Sequence, residues 1–145
     1  MGDCMSYKKR TKMRGIIILL SLLMSTQLYS QQWINDLNFE SEVQQKHPFG
    51  DDEVTITVVE FWVEFNKVNE FKEWKSLKGV TYLRCNVESA PKSKKKYRIR
   101  MAPTLLIFVD GVLEKSIKSG LDLVLPKDLV EIQEEIDELR EGNKF

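Results

Sequence analysis

The sequence predicts an α/β fold: one central mixed β-sheet with helices on both faces, built from residues 31–145. Three observations carry this. Val54 to Trp62, "VTITVVEFW", is rich in β-branched and aromatic residues and almost continuously apolar at its end, as a strand buried on both faces must be. A second strand pattern, Val80 to Val87, follows after an amphipathic segment, and a strand, helix and strand in that order make a parallel pair with a right-handed crossover. Asp110-Gly111 then stands between two apolar runs in "PTLLIFVDGVLEKSI", the signature of a tight antiparallel hairpin. Parallel and hairpin strands in one sheet require helices to cover its faces.

Taken in order, the segment after residue 30 opens with scattered apolar residues, Trp33, Ile34, Leu37 and Phe39. A short helix is expected from Phe39 to Gln45, ended by Pro48 and Gly50 in "HPFGDD". After the first long strand, Val68, Phe71, Trp74 and Leu77 recur with charged residues between them, which predicts an amphipathic helix stopped at Gly79. In "VTYLRCNV" the period of two sets Leu83, Cys85 and Val87 on one face and Tyr82, Arg84 and Asn86 on the other. "PKSKKKYR" predicts a short basic helix. In "LPKDLVEIQEEIDELR" Pro126 suits a first helical turn, and Leu129, Ile132, Ile136 and Leu139 form one apolar stripe on an acidic helix.

Residues 1–30 differ in kind. The basic run "YKKRTKMR" precedes the apolar "GIIILLSLLM" and the small, polar "STQLYSQ". This is the order of a secretory signal peptide, with cleavage expected after Ser30 and export to a periplasmic or secreted location. The apolar run is about half of what a spanning helix needs, so a membrane association is expected only if the segment stays uncleaved. "MGDCMS" also fits an acylation pattern at Gly2 and Cys4, which the apolar run makes superfluous.

Five of the 22 basic and one of the 22 acidic groups lie in residues 1–30, leaving 17 basic and 21 acidic. A net acidic domain argues against nucleic acid as the partner. The run "KSKKKYRIR" holds Lys92, Lys94, Lys95, Lys96, Arg98 and Arg100, a pattern that is ordinarily a solvated helix face. His47 stands alone beside Pro48, so no metal site and no cofactor are expected. After residue 30 the one cysteine is Cys85, which leaves no internal disulfide and reads as a packed, inert strand residue.

Two stretches resemble thioredoxins. Val59 to Glu64, "VEFWVE", is similar to the strand that enters the active site of that family, whose pattern is roughly VDFWAEWCGPC. Leu83 to Gly111, "LRCNVESAPKSKKKYRIRMAPTLLIFVDG", is similar to the segment that follows, including Tyr97, Ile99-Arg100, Pro103-Thr104 and the acidic-Gly turn. Gly120 matches a glycine before the last helix. The likeness spans about residues 36 to 140 and implies a thioredoxin-like fold.

It also implies where this chain departs from the family. The CxxC places hold Asn66, Lys67, Val68 and Asn69, and Phe65 replaces a tryptophan. Dithiol–disulfide exchange needs an attacking and a resolving thiol, and an asparagine can do neither. Asn66 is instead expected to cap the following helix. Glu60 matches the family's buried acid and Arg84 its nearby buried lysine, here expected as a buried ion pair. Pro103 resembles the family's cis-proline, before which Ala102 would pair its backbone with an extended peptide. Trp62, Phe65, Ala102, Pro103 and Gly120 are expected to line an apolar groove. The expected function is a non-catalytic, redox-inactive peptide- or protein-binding module. The alternative is a weak or partner-dependent thiol-disulfide oxidoreductase acting through Cys85.

Overall fold

The computed structural model describes residues 32–45 and 53–144. The signal-peptide and acylation expectations and the His47 turn lie outside the described residues. Five strands form one sheet: β1 (Gln32–Ile34), β2 (Ile56–Trp62), β3 (Thr81–Asn86), β4 (Thr104–Val109) and β5 (Val112–Lys118). Their order across the sheet is β1-β3-β2-β4-β5. The first three run parallel, and β4 and β5 are antiparallel additions. The mixed sheet, the parallel β2–β3 pair and the hairpin are as the sequence predicts. Asp110 and Gly111 both have positive φ, 49° and 83°, the primed turn whose twist matches two paired strands.

β2 lies at the middle of the sheet, and its two faces feed two separate cores. Val59 and Phe61 point to one, with Leu83 and Cys85 of β3, Phe108 of β4 and Phe39 of the helix α1 (Phe39–Val43). Phe39 is the centre of this core, with Phe61, Tyr97 and Phe108 rings at 5.2–6.2 Å. The helix α2 (Pro91–Lys96) covers the same side, with Pro91 in its first turn and Ala90 and Ile99 buried at its ends. Ile56 and Val58 point to the other face, against Leu105, Ile107 and the helix α3 (Leu129–Gly142). Ile132 and Ile136 of the predicted stripe are fully buried, and Leu129 and Leu139 partly so. Helices therefore cover both faces, as expected.

Four local expectations fail. The first strand, β1, lies where only scattered apolar contacts were expected. Three residues are too few for a periodic signal, and pairing with Leu83–Cys85 is what makes them a strand. α1 ends at Val43 rather than Gln45. The helix α3 begins after Asp128, not at Pro126. The Asp128 carboxylate accepts from the Glu131 N–H at 2.9 Å while the Glu131 carboxylate accepts from the Asp128 N–H at 3.0 Å, a reciprocal cap stronger than a proline start. Asp128→Ala is expected to lower stability by about 1 kcal/mol, read as a shift in the urea midpoint without a change in slope.

The fourth failure concerns the site. Residues 68–79 do not form an α-helix but two 3₁₀ turns, Glu64–Asn69 and Lys72–Ser76, separated by extended backbone at Glu70 and Phe71. The spacing of Phe71, Trp74 and Leu77 is three, which is the period of a 3₁₀ turn and not the 3.6 of an α-helix. The Phe71 N–H also leaves the helical ladder altogether: it donates to Glu60 Oε1 at 2.9 Å.

Candidate functional site

The expected groove residues divide between two sides of the sheet end. Trp62 shares a face with Glu60 and faces β1. Its ring meets that of Trp33 edge-on at 5.3 Å, and its Nε1–H donates to Glu70 Oε2 at 3.1 Å. It does not line a groove with Phe65, and neither Pro103 nor Gly120 does so. The period of two explains this: Trp62 and Val63 are adjacent on an extended chain and must point to opposite faces.

Behind Trp62 lies the Glu60–Arg84 pair. Glu60 is fully buried and Arg84 nearly so, with a guanidinium–carboxylate distance of 2.9 Å. Two adjacent strands in register, Glu60 opposite Arg84, put them on one face. The pair is part of a larger network. Glu60 Oε2 also accepts from the Tyr82 hydroxyl at 2.7 Å, and Arg84 NH1 bonds Glu70 at 2.9 Å. Trp33 stands over the guanidinium at 5.5 Å. Burial raises the Glu60 pKa, opposed by the Phe71 N–H and then by Arg84. Burial and the adjacent Glu60 carboxylate push the Tyr82 phenol well above its ordinary value. Tyr82 and Glu70 carry no sequence signal as partners of Glu60, although the period of two does set Tyr82 on the Arg84 face.

On the opposite side is a cleft of about 270 Å³. Val63, Phe65, Met101, Ala102 and Leu123 form its apolar walls, and Lys94 and Arg100 stand at one end. Phe65 is 80% exposed, an unusual state for a phenylalanine. Of the five expected groove residues, only Phe65 and Ala102 lie here. The Ala102-Pro103 bond is cis.

Asn66 binds these walls together. It does not cap a helix: the 3₁₀ turn that contains it has Val63 at its N-cap and no side-chain cap. The Asn66 side chain is instead buried, and its amide donates to the carbonyls of Ala102 at 2.8 Å and Leu123 at 2.9 Å. Its Oδ1 accepts from Asn69 at 2.9 Å. Both amide protons and the carbonyl are therefore used. One side chain ties the turn after β2 to the Ala102-Pro103 loop and to the 120–125 loop. It also occupies the Ala102 carbonyl, an acceptor that a strand-adding peptide would use. Of the other CxxC-matched places, Lys67 pairs with Glu64 at the surface at 2.8 Å, and Val68 is exposed.

Cys85 is fully buried in the Phe39 core, and burial, with a smaller contribution from the Asp36 charge, raises its pKa to about 12. Asp36 itself has a placement the sequence did not signal. Its carboxylate accepts from the Lys92 and Ser93 N–H groups at 2.8 Å each, capping α2 from 56 and 57 residues away. Burial acts to raise its pKa, and these hydrogen bonds bring it below the ordinary carboxylate value. Among the described residues, no three His, Cys, Asp or Glu side chains come together as a metal site.

No protein-family model and no curated protein matches the chain. Among solved structures, it is similar to a chain from work on the thiol-resolving mechanism of a yeast mitochondrial 1-Cys peroxiredoxin through glutathione and thioredoxin systems. The two are 16% identical with a TM-score of 0.53, over 75% of this chain and 95% of that one. At that identity the likeness concerns architecture, and with the sheet order and the crossover it establishes that this chain has a thioredoxin-like fold.

Proposed function

We propose that the protein is an exported, redox-inactive thioredoxin-like module that binds a peptide or protein segment in the cleft beside Phe65 and Ala102. The observation that carries this is Asn66. At the place the resemblance assigns to the attacking cysteine, the side chain is a structural tie that holds the cleft walls in one arrangement. A preformed cleft loses less entropy on binding than one that must order itself. An exposed phenylalanine on its wall supplies the aromatic anchor that binding surfaces favour. Because Asn66 holds the Ala102 carbonyl, the mode of capture is an inserted side chain rather than a full added strand.

Cys85 does not support the oxidoreductase alternative. A thiol raised to about 12 by burial has a negligible thiolate fraction at neutral pH, and attack on a disulfide needs the thiolate. Thiol reagents are expected to label native Cys85 more than about a hundredfold more slowly than the urea-unfolded chain. Insulin reduction by the wild type is expected to equal that of Cys85→Ser; turnover that depends on Cys85 would overturn the non-catalytic reading. Export is tested by the N-terminus of the secreted protein, expected at Gln31.

A further inference from the structure

The end of α2 contains a residue choice that its backbone does not favour. Arg98 has φ 53°, the left-handed region where glycine is the ordinary residue. The Arg98 N–H donates to the Lys95 carbonyl at 3.3 Å and the Ile99 N–H to the Lys94 carbonyl at 2.9 Å. This pair of bonds is the helix-ending motif whose left-handed position is enriched in glycine. An arginine there loses the conformational ease of glycine, and what it adds is a guanidinium at the mouth of a second cavity.

That cavity, about 390 Å³, is lined by Pro91, Lys94, Lys95, Arg98, Ile99 and Arg100. It shares Lys94, Ile99 and Arg100 with the apolar cleft, so the two adjoin. Lys96 of the same helix is paired with Glu40 at 2.5 Å. Lys94, Lys95, Arg98 and Arg100 have no carboxylate within ion-pair distance among the described residues. The polarity is one-directional: the apolar cleft holds Glu88 on its wall, while the adjoining cavity has only cations.

We infer that the ligand of this site is an acidic peptide segment: an apolar, preferably aromatic, side chain seated beside Phe65 and Ala102, followed by carboxylates over Lys94, Lys95, Arg98 and Arg100. This rests on the peptide-binding reading above and adds the ligand's chemistry to it. Four cations around a concave site match a few carboxylates, and the acidic excess of the remaining domain, 21 acidic against 17 basic groups after residue 30, disfavours a long polyanion. The apolar cleft has no use for a phosphate backbone.

The test uses fluorescein-labelled decapeptides with one central Phe followed by three Asp or Glu, against the same peptides with Asn or Gln, measured by anisotropy at low and high salt. The acidic peptide is expected to bind about tenfold more tightly, with the advantage shrinking as salt rises. Arg98→Gly is expected to weaken acidic-peptide binding about threefold to fivefold while the melting temperature stays level or rises by a few degrees. Phe65→Ala is expected to weaken both peptides. If both peptides bind equally and Arg98→Gly changes nothing, the acidic preference is wrong and the peptide-binding reading stands. If neither peptide binds, both fail. If heparin or phosphatidylserine vesicles bind as tightly as the acidic peptide in a manner indifferent to Phe65→Ala, the site is a general anion surface and the inference is overturned.

Discussion

Glu60→Ala is expected to destabilise the protein by about 3–5 kcal/mol, the cost typical of removing one partner of a buried ion pair. The reason is the position of Arg84. It is nearly buried and would lose the carboxylate at 2.9 Å, keeping only Glu70. The Tyr82 hydroxyl and the Phe71 N–H would lose their acceptor in the same step. Adding Arg84→Met to that variant is expected to recover part of the loss, because it removes the uncompensated charge. Equal losses for the single and double variants in denaturant melts would show that the pair itself contributes little. The pH dependence has a definite sign. Burial holds the Glu60 pKa above its unfolded value. Its contribution is therefore full below the ordinary carboxylate range and is lost as pH rises through the raised folded value. Glu60→Gln is expected to remove that part of the pH profile, checked by melts across the mildly acidic range.

The second large effect is expected at Asn66. Asn66→Ala deletes two hydrogen bonds to main-chain carbonyls, Ala102 and Leu123, and the acceptor of Asn69. A loss of about 2–4 kcal/mol follows, since a partly buried acceptor left without a donor forfeits more than the net value of the bond. The functional consequence is separable. Hydrogen exchange of the 120–125 loop and the Ala102 region is expected to rise in Asn66→Ala well before global unfolding, because the tie between the three segments is gone. If exchange there is unchanged, Asn66 does not hold the cleft, and the main support for the binding reading falls. Asn66→Cys with Asn69→Cys is a poor route to a redox enzyme for the same geometric reason. The turn at this place is 3₁₀, with Asn66 at φ −115° and ψ 23°, so it lacks the α-helix N-terminus whose dipole lowers a thiol pKa.

Where the sequence read well, the cause was a long or repeated signal. β2 is seven residues of apolar chain, the 110–111 turn has the residue pair its backbone demands, and the stripe of α3 repeats over three turns. Where it read poorly, the decisive contact was distant in the chain. Val68 to Leu77 has the apolar spacing of a structured turn, yet the Phe71 N–H is taken by Glu60, eleven residues back, and the α-helix does not form. Asn66 has the composition of a cap, yet its amide is drawn to carbonyls 36 and 57 residues away.

The sequence by itself determined the architecture of this protein: which segments pair, which faces are apolar, and that Glu60 and Arg84 meet on adjacent strands. Those follow from short-range periodicity and from the few ways strands and helices can cover one another. Tertiary structure alone decided what Asn66 does, that Trp62 and Phe65 serve opposite sides of the sheet end, and that the basic run borders the apolar cleft. Each of these depends on where loops remote in sequence come to lie, and a hydrogen bond between such loops has no periodic trace in the chain.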